Sequence, residues 1–430
     1  MSTRSTLADW LSWQETLHPS PIDLGLVRLN ETLLRLGWRR PDCPVITVAG
    51  TNGKGSSVAL LMRILQAAGY RVATFTSPHL LRYNERICID GIEISDASLV
   101  AAFERIDQAR AGTTLTFFEF NAIAALLVFE TARPDVIVLE VGLGGRLDAV
   151  NAVDCDAALV TSIALDHCDW LGADIEKIGR EKAGVFRSGR PAVFGSREMP
   201  SSIAAVAGEV GANLLRLGRD FDYRRAAGRW SWSGGAIQFD DLPLPALVGD
   251  VQLDNAAAVL AVLTSLSARL PLDIGAIRRG LGTVSLRGRF QTVTLDGVQW
   301  ILDVAHNPAA AHTLALQLAS RHGTTRRRYL AVCGILADKD IEGVASELRD
   351  SFDLWITAEL SGPRALPVAL LAQRLNAGGV SVSESAPSVA SACEAAAKLA
   401  HPGDEVVVFG SFLTVAGAME WLQGRGLSVS

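Results

Sequence analysis

The run Val45-Ile-Thr-Val-Ala49 leads straight into Gly50-Thr-Asn-Gly-Lys-Gly55, and a helical pattern begins at once with Ser56-Ser57. A buried strand, a glycine turn and a helix N-terminus make a cradle for phosphate. Backbone N–H groups and the helix dipole point at the anion, and Lys54 adds a full positive charge. The commonest P-loop keeps four residues between its glycines and places Ser or Thr directly after the lysine. Here only Thr51 and Asn52 separate Gly50 from Gly53, and Gly55 separates Lys54 from Ser56. The element predicts an α/β chain that binds a nucleotide, with Thr51, Asn52, Gly53, Lys54, Gly55 and Ser56 holding its phosphates.

Strand-like and helical runs alternate through the first half. Val45–Ala49 is followed by a helix over Ser56–Ala68 that Gly69 ends, then by strand Val72–Thr76 and a helix near Thr116–Thr131. Strands Val136–Glu140 and Ala157–Ser162 come next. Such alternation predicts a parallel sheet covered by helices on both faces. Trp230-Ser-Trp-Ser-Gly-Gly-Ala-Ile-Gln-Phe239 alternates around a Gly-Gly turn and reads as a hairpin. The pattern is helical again from Asp254 to about Leu281. After Gly288, two strands around the Asp296-Gly297 turn open a second unit. In it helices (Pro308–Arg321, Ile341–Ser351) alternate with strands (Tyr329–Cys333, Leu354–Thr357, Val406–Phe409). A chain of 430 residues exceeds one ordinary core, and the expected division is 1–288 and 289–430.

A net charge of −6 gives no electrostatic reason to expect a nucleic acid or an anionic membrane as partner. The six cysteines are scattered without ligand spacing, which fits reduced thiols better than disulfides or zinc. Met1–Trp10 holds no signal-peptide core, and no apolar run is long enough to span a bilayer, so a cytoplasmic protein is expected.

In an open parallel sheet, ligands sit at the carboxyl ends of the strands. The residues directly after each strand are therefore informative: Lys54 with Ser56 and Ser57, then Ser77-Pro-His-Leu80, then Glu140-Val-Gly-Leu-Gly-Gly-Arg146, then Asp166-His167. Hydroxyl, carboxylate and imidazole on one rim beside phosphates make an inventory suited to Mg²⁺, which prefers oxygen ligands and substrate phosphates. Each residue also has a plainer reading. Glu140 could cap a helix or pair with Arg146, His167 could be a hydrogen-bonded structural histidine, and Ser77 before Pro78 could simply turn the chain. Asn255 would serve as a helix cap. Asp303 stands where a strand of the second unit ends. Phe117 and Phe118 could stack on a flat heterocycle or fill a helix core. Arg82 and Arg86 could meet substrate carboxylates or pair with Glu85.

Taken together, Gly50–Gly55, Ser77–Leu80, Glu140–Asp148, Ser162–His167, Gly179–Gly184 and Asp303–Pro308 resemble the folylpolyglutamate synthase and dihydrofolate synthase family of the Mur ligase superfamily. The resemblance covers nearly the whole chain and is closest to the bifunctional bacterial enzymes. It implies a Mur-ligase-like P-loop domain plus a smaller Rossmann-like C-terminal domain. It also implies ATP-dependent addition of L-glutamate to dihydropteroate and to reduced folates, through an acyl phosphate. By that likeness Ser77 and Glu140 hold one Mg²⁺ and His167 a second, while Lys54, Glu140, His167 and Lys182 are catalytic. Lys182, an ordinary helix-surface lysine on a plain reading, is often carbamylated in the family. Asn255, Arg289 and Asp303 contact adenosine. Asp23, Leu24, Gly25, Leu26, Thr116, Phe117, Phe118, Glu119 and Leu147 line the dihydropteroate pocket. The protein is expected to be a monomer. Many relatives place histidine where Ala337 stands. A cell-wall ligase of the same superfamily would call for an extra N-terminal domain, and only 44 residues stand before Val45. A nucleotide-driven switch without ligation chemistry would need no second domain bringing Arg289 and Asp303 to the nucleotide.

Overall fold

The computed structural model describes residues 4–321 and 327–429, so Met1–Thr3 of the N-terminal stretch lie outside it. Eight strands form the first sheet: β1 (Val45–Ala49), β2 (Val72–Phe75), β3 (Ile87–Ile89), β4 (Ile92–Glu93), β5 (Val136–Glu140), β6 (Ala157–Val160), β7 (Pro191–Phe194) and β8 (Asn213–Arg216). Their order is β4-β3-β2-β5-β1-β6-β7-β8. All neighbours run parallel except β2–β3 and β3–β4.

Strand periodicity divides the core between the two faces. Val45 and Ala49 of β1, with Ile137 and Leu139 of β5, enter the cluster around Trp10, Phe103 and Phe120. Ile46 and Val48, with Val136 and Val138, enter the opposite cluster around Leu60, Ile64 and Val259. Every residue of β1 and β5 is buried, and apart from Thr47 and the terminal Glu140 these strands are apolar.

A three-stranded antiparallel sheet of β9 (Phe221–Ala226), β10 (Arg229–Gly234) and β11 (Ile237–Pro243) leans on this unit through Trp230 and Trp232. The stretch expected to be helical from Asp254 to about Leu281 holds two helices, Val251–Ser265 and Ile274–Thr283. Pro271, which has no N–H to donate, lies in the break.

The second sheet contains β12 (Gln291–Leu295), β13 (Val298–Leu302), β14 (Tyr329–Cys333), β15 (Leu354–Ala358), β16 (Glu384–Ala386) and β17 (Glu405–Phe409), in the order β12-β13-β17-β14-β15-β16. Only β12–β13 is antiparallel. Leu330 and Val332 face one core and Tyr329, Ala331 and Cys333 the other. Leu80 and Leu81, from the loop after β2, pack against this second core and tie the two units together. No helix among the described residues is long and apolar enough to cross a membrane.

Candidate active site

β1 lies between β5 and β6, so the loops after these three strands meet at one edge. The loop after β1 takes a shape that two glycines permit. Gly50 has φ +137°, and a Cβ there would lie 1.9 Å from Thr161 Oγ1. Gly53 has φ +88° and caps helix Lys54–Ala67, and a Cβ would lie 2.5 Å from Asn255 Oδ1. Neither position admits a side chain without moving its neighbour. The loop is also tied to the chain after β6. Thr51 Oγ1 donates to Ala164 O (3.1 Å) and accepts from Ala164 N–H (3.0 Å), and Thr161 Oγ1 donates to Asn52 O (2.6 Å).

Two ammonium groups converge on one carbonyl. Lys54 Nζ donates to Gly50 O (3.0 Å) and Thr51 O (3.1 Å), and Lys182 Nζ donates to Gly50 O (3.0 Å). Lys182, on helix Ile175–Ala183, is buried rather than on the surface. Burial and the charge of Lys54 bring its ammonium down to about 7. Burial pushes Lys54 down and the Glu140 carboxyl up, and their mutual attraction opposes both shifts.

Glu140, at the end of β5, accepts a single hydrogen bond among the described residues, from Ser77 N–H at 3.3 Å. A buried carboxylate so lightly bonded suits a cation. No three His, Cys, Asp or Glu side chains among the described residues form a ready-made metal cage. Mg²⁺ fits this donor set because it is commonly held by one or two carboxylates together with substrate phosphates and water. The lining residues that could hold such ions are Ser77 with Glu140, and His167. Burial and the nearby Lys339 charge lower His167 to about 4, which leaves the imidazole neutral and able to act as a ligand. Arg146, the alternative partner for Glu140, turns away and pairs with Glu181 at 2.8 Å, because the Gly142–Asp148 loop folds back onto the Lys182 helix. That contact is close: a Cβ on Gly145 would lie 2.7 Å from Glu181 O, and one on Gly184 would lie 2.4 Å from Arg146 Cβ.

A cavity of about 930 Å³ runs from this rim in two directions. Toward the second unit it is lined by Asn255, Arg289 and Asp303. Asn255 is buried one turn into its helix and bonds Gln252 (3.0 Å), so it does not cap that helix. Asp303 accepts from Phe290 N–H (2.9 Å) and Ala305 N–H (2.8 Å). Burial lowers the Arg289 pKa and raises that of Asp303, and each charge opposes the shift of the other.

In the other direction lie Asp23, Leu24, Gly25, Thr116, Phe117, Phe118, Glu119 and Leu147. Thr116 caps helix Phe117–Ala132, and Glu119 closes the capping box through Thr116 N–H at 2.8 Å. Glu119 also receives Arg28 (3.1 Å), which binds Asp23 (2.6 Å) as well. These two carboxylates are therefore joined before any ligand enters. Phe118 packs on Phe75 with ring centroids 5.7 Å apart and also faces the cavity. Leu26 stands at the N-cap of helix Val27–Arg35, one residue beyond the lining.

The lining also holds Asp148, Arg86 and Lys339, to which the sequence alone assigns no definite role. Asp148 takes N–H bonds from Gly142 (3.0 Å), Leu143 (2.8 Å) and Val150 (3.0 Å), and burial raises it to about 6. Arg86 is buried, donates to His79 Nδ1 (2.8 Å) and lines the cavity, whereas Arg82 turns outward to Glu93 and Asp96. Lys339 also lines the cavity. Asp148 closes the motif that begins at Glu140, and Arg86 is a candidate carboxylate contact by sequence, but Lys339 carries no positional signal.

The Mur ligase middle domain matches residues 48–263, and the Mur ligase glutamate ligase domain matches residues 288–412. The chain is 47% identical over 423 residues to the dihydrofolate synthase/folylpolyglutamate synthase of Escherichia coli (strain K12), covering 98% of this chain and 96% of that one. Against the enzyme of the same name from Haemophilus influenzae, identity is 39% over 434 residues, covering 97% of each chain. The solved E. coli FolC in complex with DHPP and ADP superposes with a TM-score of 0.93 at 46% identity, covering 99% of this chain and all of that one. The bifunctional folylpolyglutamate synthase/dihydrofolate synthase of Yersinia pestis, complexed with AMPPNP and Mn ion, gives 0.90 at 47% identity, covering 98% of this chain and 99% of that one.

Proposed function

The chain belongs to the dihydrofolate synthase/folylpolyglutamate synthase family of Mur ligases, and from that premise we propose the reaction its cleft performs. It is an ATP-dependent ligase that joins L-glutamate to 7,8-dihydropteroate, giving dihydrofolate, and adds further glutamates to reduced folates. The observation that carries this reading is the pairing of half-buried Lys54 with buried Glu140 at one end of a cavity whose other walls come from both units, with buried Lys182 held against the phosphate loop beside them.

A carboxylate oxygen does not leave, so the acid must first be activated. The substrate carboxylate attacks the γ-phosphorus of ATP. A P–O bond forms, the bond to the β-phosphate bridge breaks, and ADP departs. The glutamate amine then attacks the acyl carbon, phosphate leaves, and the nitrogen loses a proton. Lys54 and the N–H groups of Gly53–Ser56 face the transferring phosphoryl group and offset its charge. Asn255, Arg289 and Asp303 hold the adenosine end. Phe118 and Leu147 supply apolar faces for the pterin, and Thr116 caps the helix that carries Phe117, Phe118 and Glu119. Mg²⁺, two ions in this reading, would be held by Ser77 and Glu140 and by His167, and supplies charge neutralisation between phosphates and acid. Lys182, easily deprotonated where it lies, is the lysine that would take up CO₂ as an N6-carboxylate. Residues 1–288 form the ATP- and pterin-binding domain, and 289–430 the domain that closes over ATP and glutamate. The protein works as a cytoplasmic monomer.

Assays of ADP release with each substrate omitted test this. Release should require both dihydropteroate and glutamate, and release without the pterin would refute the ligase reading. Mass analysis of products from tetrahydrofolate and excess glutamate then reads the extent of chain extension.

A further inference from the structure

Asp166 follows β6 in the first unit, and its side chain is only 7% exposed. Its nearest side-chain partners come from the second unit. Lys339 Nζ, on a side chain 6% exposed, donates to Oδ1 at 2.6 Å. Asn307 Nδ2 donates to Oδ2 at 3.2 Å, and His306 Nε2 lies 3.4 Å from the same oxygen. Asp166 Oδ1 also accepts the His167 backbone N–H at 2.8 Å. Asn307 in turn exchanges two amide hydrogen bonds with Asn52 of the phosphate loop, at 3.2 and 3.1 Å. One carboxylate thus joins Lys339 to the backbone of His167, and through Asn307 to the phosphate loop.

A buried ion pair adds little net stability compared with apolar side chains of similar volume, because both charges lose their water. What it supplies is direction: one relative placement satisfies both groups, and the alternatives leave a charge bare. The pair sits where two separately built sheets must meet within a fraction of an ångström for phosphoryl transfer.

We propose that Lys339 is a positioning residue for ligation: its contact with Asp166 fixes the phosphate loop and His167 against the second domain. Lys339 acts through Asp166, and this rests on the ligase reading of the cleft. The test is a double-mutant cycle on the full chain with Lys339→Met, Asp166→Asn and both together, with Lys339→Arg as the charge-conserving control. Each single variant should lower kcat about tenfold or more and raise the KM for glutamate, and the double should be no worse than the stronger single. Lys339→Arg should recover most of the loss. The calorimetric Kd for dihydropteroate should stay within about threefold, since Asp23, Phe118 and Leu147 all lie on the first domain. Small-angle scattering of Lys339→Met should show a larger radius of gyration.

Single effects under about threefold, losses that simply multiply in the double variant, or a tenfold shift in dihydropteroate Kd would each overturn the proposal. Unchanged scattering would overturn it as well. Scattering needs no turnover, so it judges the latch even if wild-type protein fails to couple ADP release to glutamate, a failure that strikes the ligase reading instead.

Discussion

The two sheets present their rims to the same cleft, yet they tie down their polar groups to different degrees. On the first rim, among the described residues, buried Glu140 accepts one long side-chain hydrogen bond and buried Lys182 donates to one carbonyl, with Lys54 half-buried beside them. On the second rim polar side chains are largely committed to their own backbone. Asp303 takes the N–H groups of Phe290 and Ala305, Asn307 caps helix Pro308–Ser320, and Ser411 caps helix Phe412–Gln423. The first rim keeps charge in reserve for ligands, while the second holds its shape and presents it. Chemistry concentrates where the protein has left its charges incompletely matched.

The largest expected effect falls on the first rim. Lys54→Ala should reduce kcat by about a thousandfold or more, because the transferring phosphoryl group loses its nearest full charge. Its melting temperature should hardly change. A variant retaining most activity would break the contrast between the rims.

Next comes a matched pair. Glu140→Gln should lower kcat by about a hundredfold and leave the melting temperature unchanged or higher, since a buried charge with one weak hydrogen bond is relieved. Asp303→Ala should instead cost about 2–3 kcal/mol of stability, read by denaturant unfolding, because two backbone N–H groups lose their acceptor. Equal stability losses in the two variants would erase the distinction.

Lys182→Ala should fall between wild type and Lys54→Ala and recover partly with added acetate or formate. A mass increment of one CO₂ on native Lys182 should accompany that recovery, and its absence together with failed rescue rejects the carbamate. On the pterin side, Phe118→Ala should raise the KM for dihydropteroate about tenfold, leaving that for ATP within about twofold.

The smallest effect is in the pH dependence of stability. The Lys182 pKa is about 7 in the folded chain against 10.5 in the unfolded one, so between those values the unfolded state holds a proton that the folded state lacks. Unfolding takes up that proton, and stability from this group therefore rises with pH across the window. Chemical denaturation at pH 7 and pH 9 should show a rise in wild type that Lys182→Met flattens.

Much of the fold could be read from local signals. β5 and β14 fall within the residues expected, and the hairpin about Gly234-Gly235 forms as its alternation required. Buried parallel strands announce themselves by unbroken apolar runs, and turns by glycine. What the chain hides is pairing across distance. Arg146 sits six residues from Glu140 yet binds Glu181, because the loop between them doubles back. Lys182, in Arg-Glu-Lys-Ala, has the neighbours of a solvated helix face and is nonetheless enclosed by the phosphate loop. Lys339 meets Asp166 across 173 residues, a contact that no spacing rule reaches. The rim of the candidate site could be read as a set of strand-end residues; its electrostatics depended on the packing of separate elements.

The tight seam between Gly145 and Glu181, and between Gly184 and Arg146, has a practical corollary for redesign. Widening the pterin end by grafting a longer loop after β5 would shove the Lys182 helix out of register, however well the graft suited its new substrate. Anyone transplanting specificity between relatives must therefore carry the loop and the helix across as one cassette, glycines included.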